Sequence, residues 1–165
     1  MELNGQHQFA APPEEIYDRL LDPDSLRTCL PGCERLERLS EDRLEISLAV
    51  PIPAVKGEYD GTIDIHDRDR PSSFRMEIDV SGKSGFVKAD ATMRVEPAGG
   101  GEGSVVTYEA SAQVGGKAAS VGQRVLTGIS RRQVDQMMRC LDGDEKVGIF
   151  QRLLNWLRST FGRGD

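Results

Sequence analysis

Val106-Thr107-Tyr108-Glu109-Ala110-Ser111-Ala112-Gln113-Val114, closed by Gly115-Gly116, is the stretch on which the fold turns. Val106, Tyr108, Ala110, Ala112 and Val114 alternate with Thr107, Glu109, Ser111 and Gln113, the period of a strand with one apolar and one polar face. After the glycine pair the period changes. From about Lys117 to Leu141, Val121, Gly122, Val125, Leu126 and Ile129 share one side of a helix, while Gln123, Arg124, Thr127 and Arg131 take the other. A half-buried strand that hands over to a long amphipathic helix implies a sheet covered on one face by that helix.

Upstream, the same alternation repeats. Leu3, Gly5, His7 and Phe9 form one file, then Leu44, Ile46, Leu48 and Val50, then Tyr59, Gly61, Ile63 and Ile65. Phe74, Met76, Ile78 and Val80 follow, and the turn Ser81-Gly82-Lys83-Ser84-Gly85 leads into Val87, Ala89, Ala91, Met93 and Val95. Between the first strand and the rest, Pro12-Pro13-Glu14-Glu15 opens a short helix with Ile16, Tyr17, Leu20 and Leu21 on its apolar side, and Asp22-Pro23 stops it. A second short helix spans about Ser25 to Cys29, ended by Pro31-Gly32, and Cys33 begins the second strand. The order predicts an α+β domain over residues 1–141: about seven antiparallel strands paired in sequence, two short helices after the first, and a long helix last.

The chain has 165 residues, 38% of them hydrophobic and 29% charged, which fits one folded domain. Lys and Arg total 21 against 27 Asp and Glu, a net charge of −6 that is the wrong sign for a general phosphate-backbone binder, so no nucleic acid is expected as a partner. No apolar run approaches the roughly 20 residues that span a bilayer, and no signal core is visible near Met1, so a cytoplasmic location is expected.

Cys29, Cys33 and Cys140 are odd in number and lack an export context, so reduced thiols are expected. No histidine or third nearby cysteine completes a zinc set around Cys29 and Cys33, and the simpler reading is a small-residue turn under the sheet. His66, beside Asp64, Asp67 and Asp69, reads as a solvated hairpin end, and His7 as a hydrogen-bonded core imidazole. No metal site, P-loop, dinucleotide fingerprint or hydrolytic triad is expected.

Residues 142–165 form a linker and tail. Counting from Ile149 at 100° per residue, Ile149, Phe150, Leu153, Leu154, Trp156, Leu157 and Phe161 fall within an arc of about 160°. Lys146 to Arg163 carries +4 with no acid, which leaves −10 on the remainder of the chain. A basic amphipathic segment with the only Trp is suited to lie at an anionic bilayer surface, with those seven residues as the membrane-binding set; docking on a partner protein, docking on its own domain and disorder are the alternatives.

Several local strings carry a family resemblance: Asp22-Pro23 with Cys29-Leu30-Pro31-Gly32-Cys33, Val55-Lys56-Gly57, Gly82-Lys83-Ser84-Gly85-Phe86, Tyr108 followed by Val114-Gly115-Gly116-Lys117, and Gly122-Gln123-Arg124. Together they resemble the CoxG family of carbon monoxide dehydrogenase subunits, within the START-like (SRPBCC) superfamily, over about residues 1 to 140. The resemblance implies the helix-grip fold, a curved sheet around a C-terminal helix with a ligand cavity between them. It also implies a non-catalytic accessory protein that associates with a molybdenum-hydroxylase-type dehydrogenase and the inner membrane face. Its ligand would be a bound quinone (menaquinone or ubiquinone) that carries electrons, with no covalent cofactor.

The inward files then nominate the cavity lining: Met76, Ile78, Val87, Ala89, Ala110, Ala112, Val121, Val125, Leu126 and Ile129, with Tyr59, Tyr108 or Arg124 within reach of a carbonyl oxygen. The alanines on facing strands leave either close helix–sheet packing or space. Two rival readings share the fold. One is a cyclase or aromatase-like enzyme using Tyr59, Tyr108 or His7 as acid–base groups, and the other is an assembly factor with a filled interior.

Overall fold

Alternation along the strands puts one apolar file from each on a common face, and the computed structural model, which describes residues 1–143, assembles them into one sheet. The elements are β1 (Glu2–Phe9), α1 (Pro13–Leu21), α2 (Pro23–Cys29), β2 (Cys33–Ser40), β3 (Arg43–Val50), β4 (Gly57–Asp69), β5 (Ser73–Gly82), β6 (Gly85–Pro97), β7 (Ser104–Gly115) and α3 (Gln123–Leu141). The seven strands are all antiparallel, in the order β1-β7-β6-β5-β4-β3-β2. Sequential hairpins build β2 to β7, and β1 closes on β7, with Leu3 opposite Ala110 and Gly5 opposite Tyr108.

The two short helices are set by proline and aspartate. Pro13 opens α1, whose first turn carries Glu14 and Glu15, favourable beside the unpaired N–H groups there. Asp22 ends it and caps α2, accepting from the Ser25 N–H at 3.3 Å and the Ser25 hydroxyl at 2.7 Å.

The inner face of the sheet is packed most densely at one end. Where α1, α2 and the last turns of α3 lie, Ile16, Leu44, Phe74, Val106 and Met138 are completely buried, and Phe74 meets the Tyr17 ring edge-on at 5.5 Å. The end of α3 is fastened here. Arg19 donates to the Leu141 carbonyl at 2.8 Å, and the Asp142 carboxylate accepts from the Ala10 N–H at 3.0 Å.

Two expectations are corrected. Cys29 and Cys140 are joined in a disulfide, and Cys33 alone is a free thiol. A sequence separation of 111 hid their adjacency, which arises only when α2 packs on the last turn of α3, with Cα atoms 5.3 Å apart. The long helix also starts later than its period suggested. Gly116–Val121 form a 3-10 turn, and Gly122, with φ of +98°, breaks the chain before α3 begins at Gln123.

Candidate ligand-binding site

The other end of the inner face is open. Its cross-strand rows are read directly from the register: Val80, Val87 and Val114 form one, Ile78, Ala89 and Ala112 the next, and Met76, Ala91 and Ala110 the third. Two alanines in each of the last two rows leave less side-chain volume than a dense interior requires. Val80 and Ala91 are buried, whereas the other residues of these rows stay half-buried, with Ala112 and Val114 facing the N-terminal half of α3. The result is an open hollow of about 300 Å³, walled by Met1, Ala112, Gln113, Val114, Ala119, Gln123 and Leu126.

Of the twelve nominated ligand residues, Ala112 and Leu126 line this hollow. Met76, Ile78, Val87 and Ala110 lie half-buried along the edge of the packed core, and Ala89 and Ile129 are half-buried as well. Val121 sits on the 3-10 turn, and Val125 is 50% exposed on the flank of α3, because the face of that helix turned toward the sheet runs through Leu126, Ile129, Val134, Met137 and Leu141. Tyr59 and Tyr108 belong to the core. Met1 and Gln113 were not nominated, and Val114, Ala119 and Gln123 were missed. Val114 continues the alternating file of Ala112 and was legible, whereas Ala119 and Gln123 depend on the chain reversal at Gly116 and Gly122.

The polar candidates separate by their hydrogen bonds. Tyr59 donates its hydroxyl to the Val55 carbonyl at 2.8 Å, which commits it to the turn before β4. Tyr108 lies across Gly5, where a Cβ would collide with the phenol, so only glycine on β1 admits the ring. Among the described residues its hydroxyl has no hydrogen-bond partner. Burial pushes this phenol up from its ordinary pKa, the charge of Asp135 on α3 adds to the rise and Arg131 partly offsets it, so Tyr108 remains a donor at neutral pH. Arg124 is exposed on the first turn of α3.

His7 differs from expectation. Its ring packs edge-on to Phe9 at 4.7 Å, and its buried Nε2 makes no hydrogen bond, lying 3.6 Å from the Asp142 carboxylate. His66 is on the outer face, 3.6 Å from Glu77. Burial raises the Cys33 thiol, which leaves it protonated and a poor nucleophile. Among the described residues no cluster of three or more His, Cys, Asp or Glu is arranged to hold a metal, and no helix is long and apolar enough to cross a membrane. The seven nominated membrane-binding residues, Ile149 to Phe161, lie outside the described residues.

A wider cleft of about 600 Å³ at the opposite end is lined by Tyr17, Asp18, Arg19, Arg38, Arg68 and Arg70 among others. Three of its arginines are already paired, with Glu15, Asp42 and Asp18, so its charge is largely cancelled within the fold. The apolar hollow is the better candidate site despite its smaller size.

Comparison with known proteins gives the family and the fold. The CoxG family, described as a carbon monoxide dehydrogenase subunit, matches residues 5–145. A conserved protein from Geobacillus kaustophilus of known crystal structure is 33% identical, covers 86% of this chain and 93% of its own, and superposes with a TM-score of 0.82. A START superfamily protein from Mycobacterium smegmatis, 11% identical, covers 86% of this chain and 94% of its own with a TM-score of 0.66, which shows the fold alone. None of the curated proteins is similar to this chain.

Proposed function

The chain belongs to the CoxG family of carbon monoxide dehydrogenase subunits, and from that premise we propose that it is a non-catalytic accessory protein of a molybdenum-containing, carbon monoxide dehydrogenase-like enzyme. It holds an apolar, quinone-like ligand in the open end of the helix grip and links the dehydrogenase to the inner face of the membrane, with its tail in contact with lipid. The observation that carries this reading is the division of the inner face. One end is densely packed, while toward the other Ile78, Val87, Ala89, Ala110 and Ala112 stay half-buried and a hollow lies between Ala112, Val114 and the start of α3.

The polar groups favour binding over catalysis. Tyr59 is committed to Val55, and His7 lies beside Asp142 outside the wall of the hollow, so of the three acid–base candidates of an enzyme only Tyr108 keeps a free hydroxyl among the described residues. One neutral donor is enough to orient a carbonyl oxygen of a bound ligand, whereas proton transfer needs a partner group within reach. The test is solvent extraction of purified protein followed by mass spectrometry. A stoichiometric isoprenoid quinone is expected. Protein that emerges without any apolar small molecule, and takes up none from added ubiquinone or menaquinone, overturns the carrier reading in favour of an assembly factor.

A further inference from the structure

We propose that the open end of the folded body is itself a docking face for an anionic bilayer, so that the mouth of the hollow is presented to lipid directly and not by the tail alone. This rests on the membrane part of the reading above and goes beyond it in assigning the surface and the orientation.

The observation is a segregation of charge. Residues 46–57, 80–89 and 110–134 contain no Asp or Glu and seven cations: Lys56, Lys83, Lys88, Lys117, Arg124, Arg131 and Arg132. The rest of the described residues hold 24 acids against 10 bases. These three stretches converge in space. The Ser84 hydroxyl donates to the Lys56 carbonyl at 2.9 Å, and the Ala118 N–H donates to the Ser84 carbonyl at 2.8 Å, which sets the neighbourhoods of Lys56, Lys83 and Lys117 edge to edge; the 3-10 turn that carries Lys117 also carries Ala119, part of the wall of the hollow. All seven cations are exposed, and among the described residues none has a carboxylate within 4.0 Å. Elsewhere the pattern is reversed, with arginines such as Arg19, Arg43, Arg68, Arg70 and Arg75 held in ion pairs.

Unpaired lysines around an apolar opening have the chemistry of a bilayer contact. Their alkyl stems can lie along the apolar surface while the ammonium groups reach anionic headgroups. Val125, 50% exposed beside Arg124, offers an apolar contact at the same rim. An apolar ligand leaving a hollow that opens here would enter hydrocarbon without crossing water.

The test uses the full chain and phosphatidylcholine vesicles with and without 30% phosphatidylglycerol. Each neutralised lysine is expected to weaken phosphatidylglycerol-dependent binding about fivefold, so Lys56→Gln, Lys83→Gln and Lys117→Gln together should weaken it about a hundredfold. A control with Arg27→Gln, Arg94→Gln and Arg139→Gln, matched in charge but placed elsewhere, should bind as wild type, with equal melting temperatures confirming the fold of both. Equal binding by the lysine variant and the control overturns the proposal. If Trp156→Ser with Phe150→Ser then removes that binding, the membrane reading survives with the tail as sole contact. Absence of vesicle binding by the wild type sinks both. Vesicle binding intact in the lysine variant, with binding to the dehydrogenase lost, assigns the face to an acidic protein partner and likewise overturns the proposal.

Discussion

Cutting the Cys29–Cys140 disulfide is expected to lower stability substantially without removing the fold. The bond closes a loop with a sequence separation of 111, for which the chain-entropy relation gives about 4.8 kcal/mol at 25 °C. Residual structure in the unfolded chain and native-state strain reduce such values, so a loss of about 2–5 kcal/mol is the expectation. With about 3 °C of melting temperature per kcal/mol for a domain of this size, that corresponds to roughly 6–15 °C. The helix end should stay in place in the reduced protein, because Arg19 still holds the Leu141 carbonyl and Asp142 still accepts from Ala10. Thermal melting of oxidised and reduced protein, alongside Cys29→Ser, Cys140→Ser and Cys33→Ser, separates the cases. The first two variants should melt like the reduced protein, and the third like the oxidised wild type. Thiol counting in denaturant supplies the refutation: one reactive thiol per unreduced chain is expected, and three, or coincident melting curves with and without reductant, would show that the bond does not exist in the molecule.

Phe74→Ala should cost about 3–5 kcal/mol in chemical denaturation, because the ring is 1% exposed and its removal leaves a cavity beside Tyr17. Gly5→Val should destabilise by about 1–3 kcal/mol and alter the ultraviolet titration of Tyr108, since a side chain on β1 displaces the phenol; an unchanged tyrosine titration refutes the close approach. The Arg70 guanidinium, bidentate on Asp18 at 2.9 Å, holds that carboxyl below the usual carboxylate range. A lowered folded pKa means that the pair stabilises above the ordinary carboxylate range and that its contribution fades as pH falls through the lowered value. Carbon-detected NMR titration should show the Asp18 pKa rising in Arg70→Gln, with little change in stability at neutral pH because both side chains are more than half exposed.

The strand ladder was legible because period-two alternation survives in every strand that has one wet face, and the inward files Phe74 to Val80 and Val87 to Val95 are the observed ones. The Asp22-Pro23 junction was equally readable, since proline and an aspartate cap act locally. What escaped was set by distance in sequence or by backbone handedness. Cys29 and Cys140 meet only through helix packing, and the left-handed glycine at 122 ends a turn whose residues still fit the helical period. The candidate site was half legible for the same reason. Its floor follows from alternation, but whether α3 descends onto that floor depends on where the helix is held, which no local pattern records.

Where α3 is held explains why the hollow stays open. The helix has 19 residues, a rod about 28 Å long, and its C-terminal turns are seated through Met137, Met138 and Leu141 and pinned by the disulfide. Its N-terminal end hangs from the 3-10 turn, which is tied to the β5–β6 turn by the Ala118 to Ser84 bond. A stiff rod supported at both ends cannot sag onto alanine rows between its supports, because bending would break helical hydrogen bonds to gain contact with only a few methyl groups. A larger side chain at Ala112, on the wall of the hollow, would fill the gap and add about 0.8 kcal/mol for each methylene it buried. Small residues under a helix braced at both ends therefore hold open a space that hydrophobic packing alone would close.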